Sequence, residues 1–77
     1  MKPLSKSELA WLYSPGMTQV SALNRLARWI NGDHLLLHDL QEAGYRPNQR
    51  ILTARQVAII FDHLGNPLED SELVDLM

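Results

Sequence analysis

The sequence predicts an all-α fold: a compact bundle of four to five helices whose N-terminal half is helix-turn-helix-like. Three observations carry this. Apolar residues recur at helical spacing through most of the chain. Two helix starts share one capping grammar, Ser5-Lys6-Ser7-Glu8 and Thr53-Ala54-Arg55-Gln56. The connections between apolar runs are short and marked by Pro15-Gly16, Gly32-Asp33 and Gly65.

The first helix is expected over Lys6 to Tyr13. The Ser5 hydroxyl caps the N–H of Glu8, the Glu8 side chain reaches back, and Leu4 and Leu9 have the spacing of a hydrophobic staple. Pro15-Gly16 ends it. The second helix runs from Gln19 to Asn31 behind the cap Thr18. Val20, Leu23, Leu26, Ala27 and Ile30 form its inner face, and Gly32 is a left-handed C-terminal cap. Ser21, Arg25 and Arg28 fall opposite, with Asn24 beside them. Trp29 sits on the edge, and its burial is open. The third helix, His34 to Ala43, is capped by Asp33, buries Leu36, Leu37, Leu40 and Ala43, and ends at Gly44.

Pro47 forbids helix in the segment from Tyr45 to Ile51, which reads as a loop; a short β-hairpin within residues 45–52 is compatible with it. The fourth helix spans Ala54 to Leu64, with Val57, Ile60, Phe61 and Leu64 inward and Ile59 on the polar face. Residues 1–67 thus form a single helical domain and residues 68–77 an acidic C-terminal tail. Leu73, Val74 and Leu76 would let that tail dock, with Ile59 as a landing place.

Charge is unevenly placed. Residues 1–60 hold all seven bases against four acids, a net of +3, whereas residues 61–77 carry five acids and no base. A basic body with an acidic tail is compatible with nucleic-acid binding. The overall charge of −2 is lower than that of most dedicated binders. The chain has no cysteine, which fits a cytoplasmic setting and excludes thiolate chemistry. No apolar run approaches the ~20 residues of a membrane span.

Four constellations bear on function. In a helix-turn-helix the second helix enters the major groove, and its first turns meet base edges. Here Gln19, Ser21, Asn24 and Arg25 would do so, since Arg pairs guanine and Asn or Gln pairs adenine. Arg28 is placed for phosphate. The same residues also suit the solvated face of any amphipathic helix. The loop residues Arg46 and Arg50, with Tyr45, Asn48 and Gln49, either grip a phosphate backbone or form a turn whose Tyr45 plugs the core. His34 and His38 have the i, i+4 spacing of a metal pair, but a third ligand and the glutamate of a zincin helix are missing, so no metal or other cofactor is expected. No Gly-rich phosphate loop or nucleophile elbow is present, which argues against an enzyme.

The segments Ser5-Lys6-Ser7-Glu8-Leu9-Ala10 with Tyr13 and Pro15, Leu26-Ala27-Arg28-Trp29-Ile30, Gly44-Tyr45-Arg46-Pro47, Ile51-Leu52-Thr53-Ala54-Arg55-Gln56-Val57 and Leu64-Gly65 form a wider pattern. Over roughly residues 3–67 this resembles a family of small bacterial proteins, found mainly in gut Bacteroidetes and classed as a domain of unknown function. The resemblance implies no activity and no site residues. Taken together, the residues lead to a DNA-binding, helix-turn-helix-like module that holds double-stranded DNA. The alternative is a protein–protein interaction module, self-associating or bound to a partner through Ile59 and Trp29.

Overall fold

The computed structural model describes residues 2–67; the acidic tail expected at 68–77 lies outside the described residues. The order of elements is β1 (Leu4–Ser5), α1 (Lys6–Tyr13), α2 (Gln19–Gly32), α3 (His34–Glu42), β2 (Ile51–Leu52) and α4 (Ala54–Leu64).

Each helix begins where a short polar side chain takes up free backbone N–H groups. Ser5 Oγ accepts from Glu8 N at 3.0 Å and Thr18 Oγ1 from Ser21 N at 3.2 Å. Asp33 Oδ1 accepts from Leu35 N and Leu36 N, both at 3.1 Å. The capping box closes in both directions at Thr53: its hydroxyl accepts from Gln56 N at 3.2 Å, and Gln56 Oε1 accepts from Thr53 N at 3.0 Å. At Ser5 only the forward half is described, and Glu8 stays in water.

Four expectations are corrected. Gly32 is not a left-handed cap: the glycines with positive φ are Gly16, Gly44 and Gly65. Asp33 ends α2 in an extended conformation (φ −113°, ψ 102°) and caps α3 at once, so no left-handed residue is needed between them. Secondly, residues 45–52 form no hairpin. Arg46 to Gln49 closes as a turn, and β2 pairs antiparallel with β1 in the register Leu4↔Leu52 and Ser5↔Ile51. The fold is therefore mostly helical with a small two-stranded sheet, not strictly all-α.

The third correction concerns Val20, which is 68% exposed. The buried line of α2 is Ala22, Leu26 and Ile30, at i, i+4 and i+8, and Val20 lies about a third of a turn away from it. Finally, Ile59 is half-buried and packs on the edge of the core rather than standing on an outer face.

The core draws on α1 (Leu9, Ala10), the buried line of α2, Leu36 and Leu40 of α3, Leu52 of β2, and Val57 and Ile60 of α4. Tyr45 plugs it from the loop, with Lys6 Nζ 5.0 Å from its ring centroid and donating to Pro47 O at 2.9 Å. His63 ties α4 to α3: Nε2 lies 3.0 Å from Asp39 Oδ2 and Nδ1 lies 3.8 Å from Asp33 Oδ2.

Buried among these apolar groups is one amide, Gln56, only 1% exposed. Its Nε2 donates to Ala43 O at 3.0 Å, and its Oε1 accepts from Gln49 Nε2 at 2.6 Å as well as from Thr53 N. Gln49 Nε2 also donates to Ile51 O at 2.7 Å. Gln56→Ala removes the partner of all three groups at once. Since an abandoned buried polar group costs about 1–3 kcal/mol, the expected loss is about 2–4 kcal/mol in urea unfolding. Gln41→Ala, at an exposed position, should stay within about 0.5 kcal/mol of the parent. Equal effects of the two would remove Gln56 from this role.

Candidate nucleic-acid interface

The surface of interest is the outer face of α2, a 14-residue helix with no carboxylate along its length. Val20, Asn24 and Arg28 follow one another at i, i+4 and i+8 and so form a stripe parallel to the helix axis. Ser21 and Arg25 form a second row beside it. All five are exposed. Met17, Ser21, Asn24, Arg25, Arg28 and Trp29 line one shallow depression.

Trp29 is half-buried between two helices. The Tyr13 ring meets it edge to face, with centroids 6.0 Å apart and planes at 84°, and Tyr13 meets Phe61 in the same way at 6.2 Å and 85°. The Tyr13 hydroxyl donates to Gly65 O. The indole therefore belongs to an aromatic lattice joining α1, α2 and α4. The indole face also carries Arg25, whose guanidinium carbon is 4.9 Å from the ring centroid. Arg25 Nη1 also lies 3.6 Å from Met17 Sδ. Arg25 is thus held in place, while Arg28 and Asn24 extend from the same face. Among the described residues the acid–base contacts are those of His38 and His63, and no arginine is paired with a carboxylate.

The structure does not gather every sequence-predicted site residue here. Ser21, Asn24, Arg25, Arg28 and Trp29 come together. Gln19 does not: its Nε2 donates to Ser7 Oγ of α1 at 2.9 Å. Ser21 Oγ accepts from Thr18 Oγ1 at 2.9 Å, so its hydroxyl is part of the cap. Arg50 lines a different depression with Ser5, Gln19, Leu23 and Ile51, about half a turn around α2 from Arg28. Arg46 is exposed on the turn, where its backbone N–H donates to Gln49 Oε1 at 3.3 Å. Ile59 shares its flank of α4 with His63 and is not among the residues lining this depression.

Two residues of the surface escaped sequence reasoning. Val20 looks like core because its spacing fits an apolar stripe, and Met17 carries no signal of its own between Pro15-Gly16 and the cap Thr18. Only the packed position of Ala22 shows which way α2 is rotated. His34 and His38 are exposed, with His38 Nε2 3.9 Å from Glu42 Oε1. Among the described residues no group of three His, Cys, Asp or Glu is arranged to hold a metal. No described helix is long and apolar enough to cross a membrane.

The fold and this surface define a small, mostly helical domain that presents a basic, carboxylate-free helix face. The chain belongs to the family described as Domain of unknown function (DUF4248), whose model matches residues 1–67, the same stretch over which the helices are described. No curated protein and no solved structure matches the chain.

The aromatic lattice makes a prediction of its own. Tyr13→Phe keeps both ring contacts and deletes only the hydroxyl that serves Gly65 O, so stability should fall by about 1 kcal/mol. The Trp29 indole resonance should stay put while amides around Gly65 shift. A shift of Trp29 as large as that at Gly65 would mean that the hydroxyl, not the rings, positions the indole.

Proposed function

We propose that this domain is a non-enzymatic DNA-binding module that lays the outer face of α2 in the major groove of double-stranded DNA. The observation that carries the reading is the stripe of Val20, Asn24 and Arg28, exposed on a helix with no carboxylate and flanked by the anchored Arg25. The major groove is wide enough for one helix, and each residue type on the stripe has a partner there. Val20 suits a thymine methyl, Asn24 the N6 and N7 of adenine, and Arg28 a guanine edge or a phosphate. Stacking on Trp29 fixes Arg25 before binding, which lowers the entropy lost on contact.

Fluorescence anisotropy with duplex DNA at low and physiological salt tests this. Binding should be micromolar and weaken steeply with salt, as counterions are released from each neutralised phosphate. On a selected site, Asn24→Ala should cost about 1–3 kcal/mol and relax the preference at one base pair. If Arg28 holds a phosphate, Arg28→Ala should lower the salt slope by about 1. No binding at low salt sinks the proposal, and unchanged affinity in both variants sinks the assignment to α2.

A second reading, a protein-interaction module, is favoured by a separate observation. Trp11 is 56% exposed over a mainly apolar depression lined by Ser7, Glu8, Leu12 and Gln19. Ile59 and Trp29 are less suited to anchor a partner, because both are half-buried in the fold. If the surface joins two copies, sedimentation equilibrium should show a dimer that Trp11→Ser dissociates. A monomer at every concentration removes the self-association form of this reading.

A further inference from the structure

We propose that residues 68–77 of this chain dock in the depression lined by Met17, Arg25, Arg28 and Trp29, so that the chain covers its own basic face. The effect on DNA described below rests on the DNA-binding reading; the contact itself does not.

Charge complementarity is the first argument. The depression presents two guanidinium groups, and no described carboxylate is paired with either. Residues 68–77 carry Glu69, Asp70, Glu72 and Asp75 and no base. Apolar complementarity is the second. Leu73, Val74 and Leu76 follow three of those acids and flank Asp75, and a thioether and an indole are among the groups that line the depression.

Position is the third argument. The described chain ends at Pro67, two residues beyond Gly65, whose carbonyl is held by the Tyr13 hydroxyl. The Tyr13 ring abuts the Trp29 ring at 6.0 Å, and Trp29 lines the depression. Gly65, three residues before the tail, thus lies one aromatic ring away from the proposed seat. Ten residues reach about 33–36 Å when extended and about 15 Å as a helix, so either form spans the gap.

The other depressions fit this segment less well. The Trp11 depression includes Glu8, which repels it. The Ile51 depression lies on the opposite flank of α2 and has the single guanidinium of Arg50, because the Lys6 ammonium is already bound to Pro47 O. Ile59, the landing place expected from sequence, is already half-buried on the core.

The absence of cysteine allows a direct test on the full chain. A nitroxide is attached at Asp75→Cys, and its paramagnetic broadening is read by NMR. Broadening is expected at the Trp29 indole and at the amides of Ser21, Asn24 and Arg28, with the Trp11 indole spared. It should disappear when Arg28→Glu is added, a change at an exposed position that leaves the core intact. Broadening that is absent, that is indifferent to Arg28→Glu, or that appears only on mixing with a labelled second copy overturns the proposal.

DNA binding is measured in parallel on the variant Glu69→Gln, Asp70→Asn, Glu72→Gln, Asp75→Asn. Removing an internal competitor that occupies the site nine-tenths of the time should tighten binding about tenfold. If the broadening is seen as expected and neither form binds DNA, the docked tail stands and the DNA reading falls. If DNA is bound equally by both forms and no broadening is seen, the reverse holds.

Discussion

The side-chain amide of Gln56 is the constraint on which the rest of the structure depends. Gln56 sits at the third position of α4, so its oxygen can cap the Thr53 N–H and complete the helix start. Its nitrogen meanwhile reaches the carbonyl of Ala43, where α3 ends. The same oxygen receives Gln49, which in turn holds Ile51 O. One buried residue therefore fixes the end of α3, the irregular loop, β2 and the beginning of α4 relative to one another. A fully satisfied buried network of this kind specifies a single arrangement, because any slippage leaves polar groups without partners in an apolar setting. With β2 fixed, Leu52 is placed opposite Leu4, and the sheet fastens the N-terminal end of α1 to the loop.

A second economy operates at the corner between α2 and α3. Asp33 closes one helix and opens the next, and its second carboxylate oxygen faces His63. Asp39, six residues further along, meets the same imidazole. These groups are partly in water, so each contact contributes little energy. Their value is geometric: they set the approach of α4 to α3. The rotation of α2 is set separately, by its buried line of Ala22, Leu26 and Ile30 and by the Tyr13–Trp29 contact, and that rotation decides which residues meet solvent.

Much of this was legible in the sequence because capping and helix termination are local. Ser5, Thr18, Asp33 and Thr53 each act on a backbone group within three residues, and the helix limits follow from them. The features that were not legible depend on distant partners. The strand Ile51–Leu52 finds its mate at the other end of the chain, with Leu52 opposite Leu4 and Ile51 opposite Ser5, so no turn signal marks it. His63 has nothing nearby in sequence to suggest two carboxylates. Val20 and Ala22 compete for the same inner stripe, and periodicity cannot rank a valine below an alanine. Packing can, because Ala22 lies in line with Leu26 and Ile30. The candidate surface inherited that uncertainty: Asn24 and Arg28 were readable from their polarity, whereas Val20 and the separation of Arg50 from Arg28 required the fold.

The composition of the α2 face is not explained by folding alone. An exposed β-branched valine is a mediocre helix former, and its side chain is left in water. Two arginines without an acid at i−4 or i+4 forgo the small stabilisation such pairs give a surface helix. A face built only for stability would carry glutamate and lysine at these positions. The cap at Thr18 and the clasp of Gln19 on Ser7 hold the first turn of α2 firmly, and Trp29 immobilises Arg25 at the other end of the face. Rigid support beneath exposed side chains of this kind is what the DNA-binding proposal requires. The acids that would neutralise it are gathered instead in residues 68–77, just beyond the point where the described chain passes Tyr13. The sequence thus keeps the basic face of α2 free of local acids and places four of its acids on one contiguous segment, and that separation of charge is the feature on which both proposals rest.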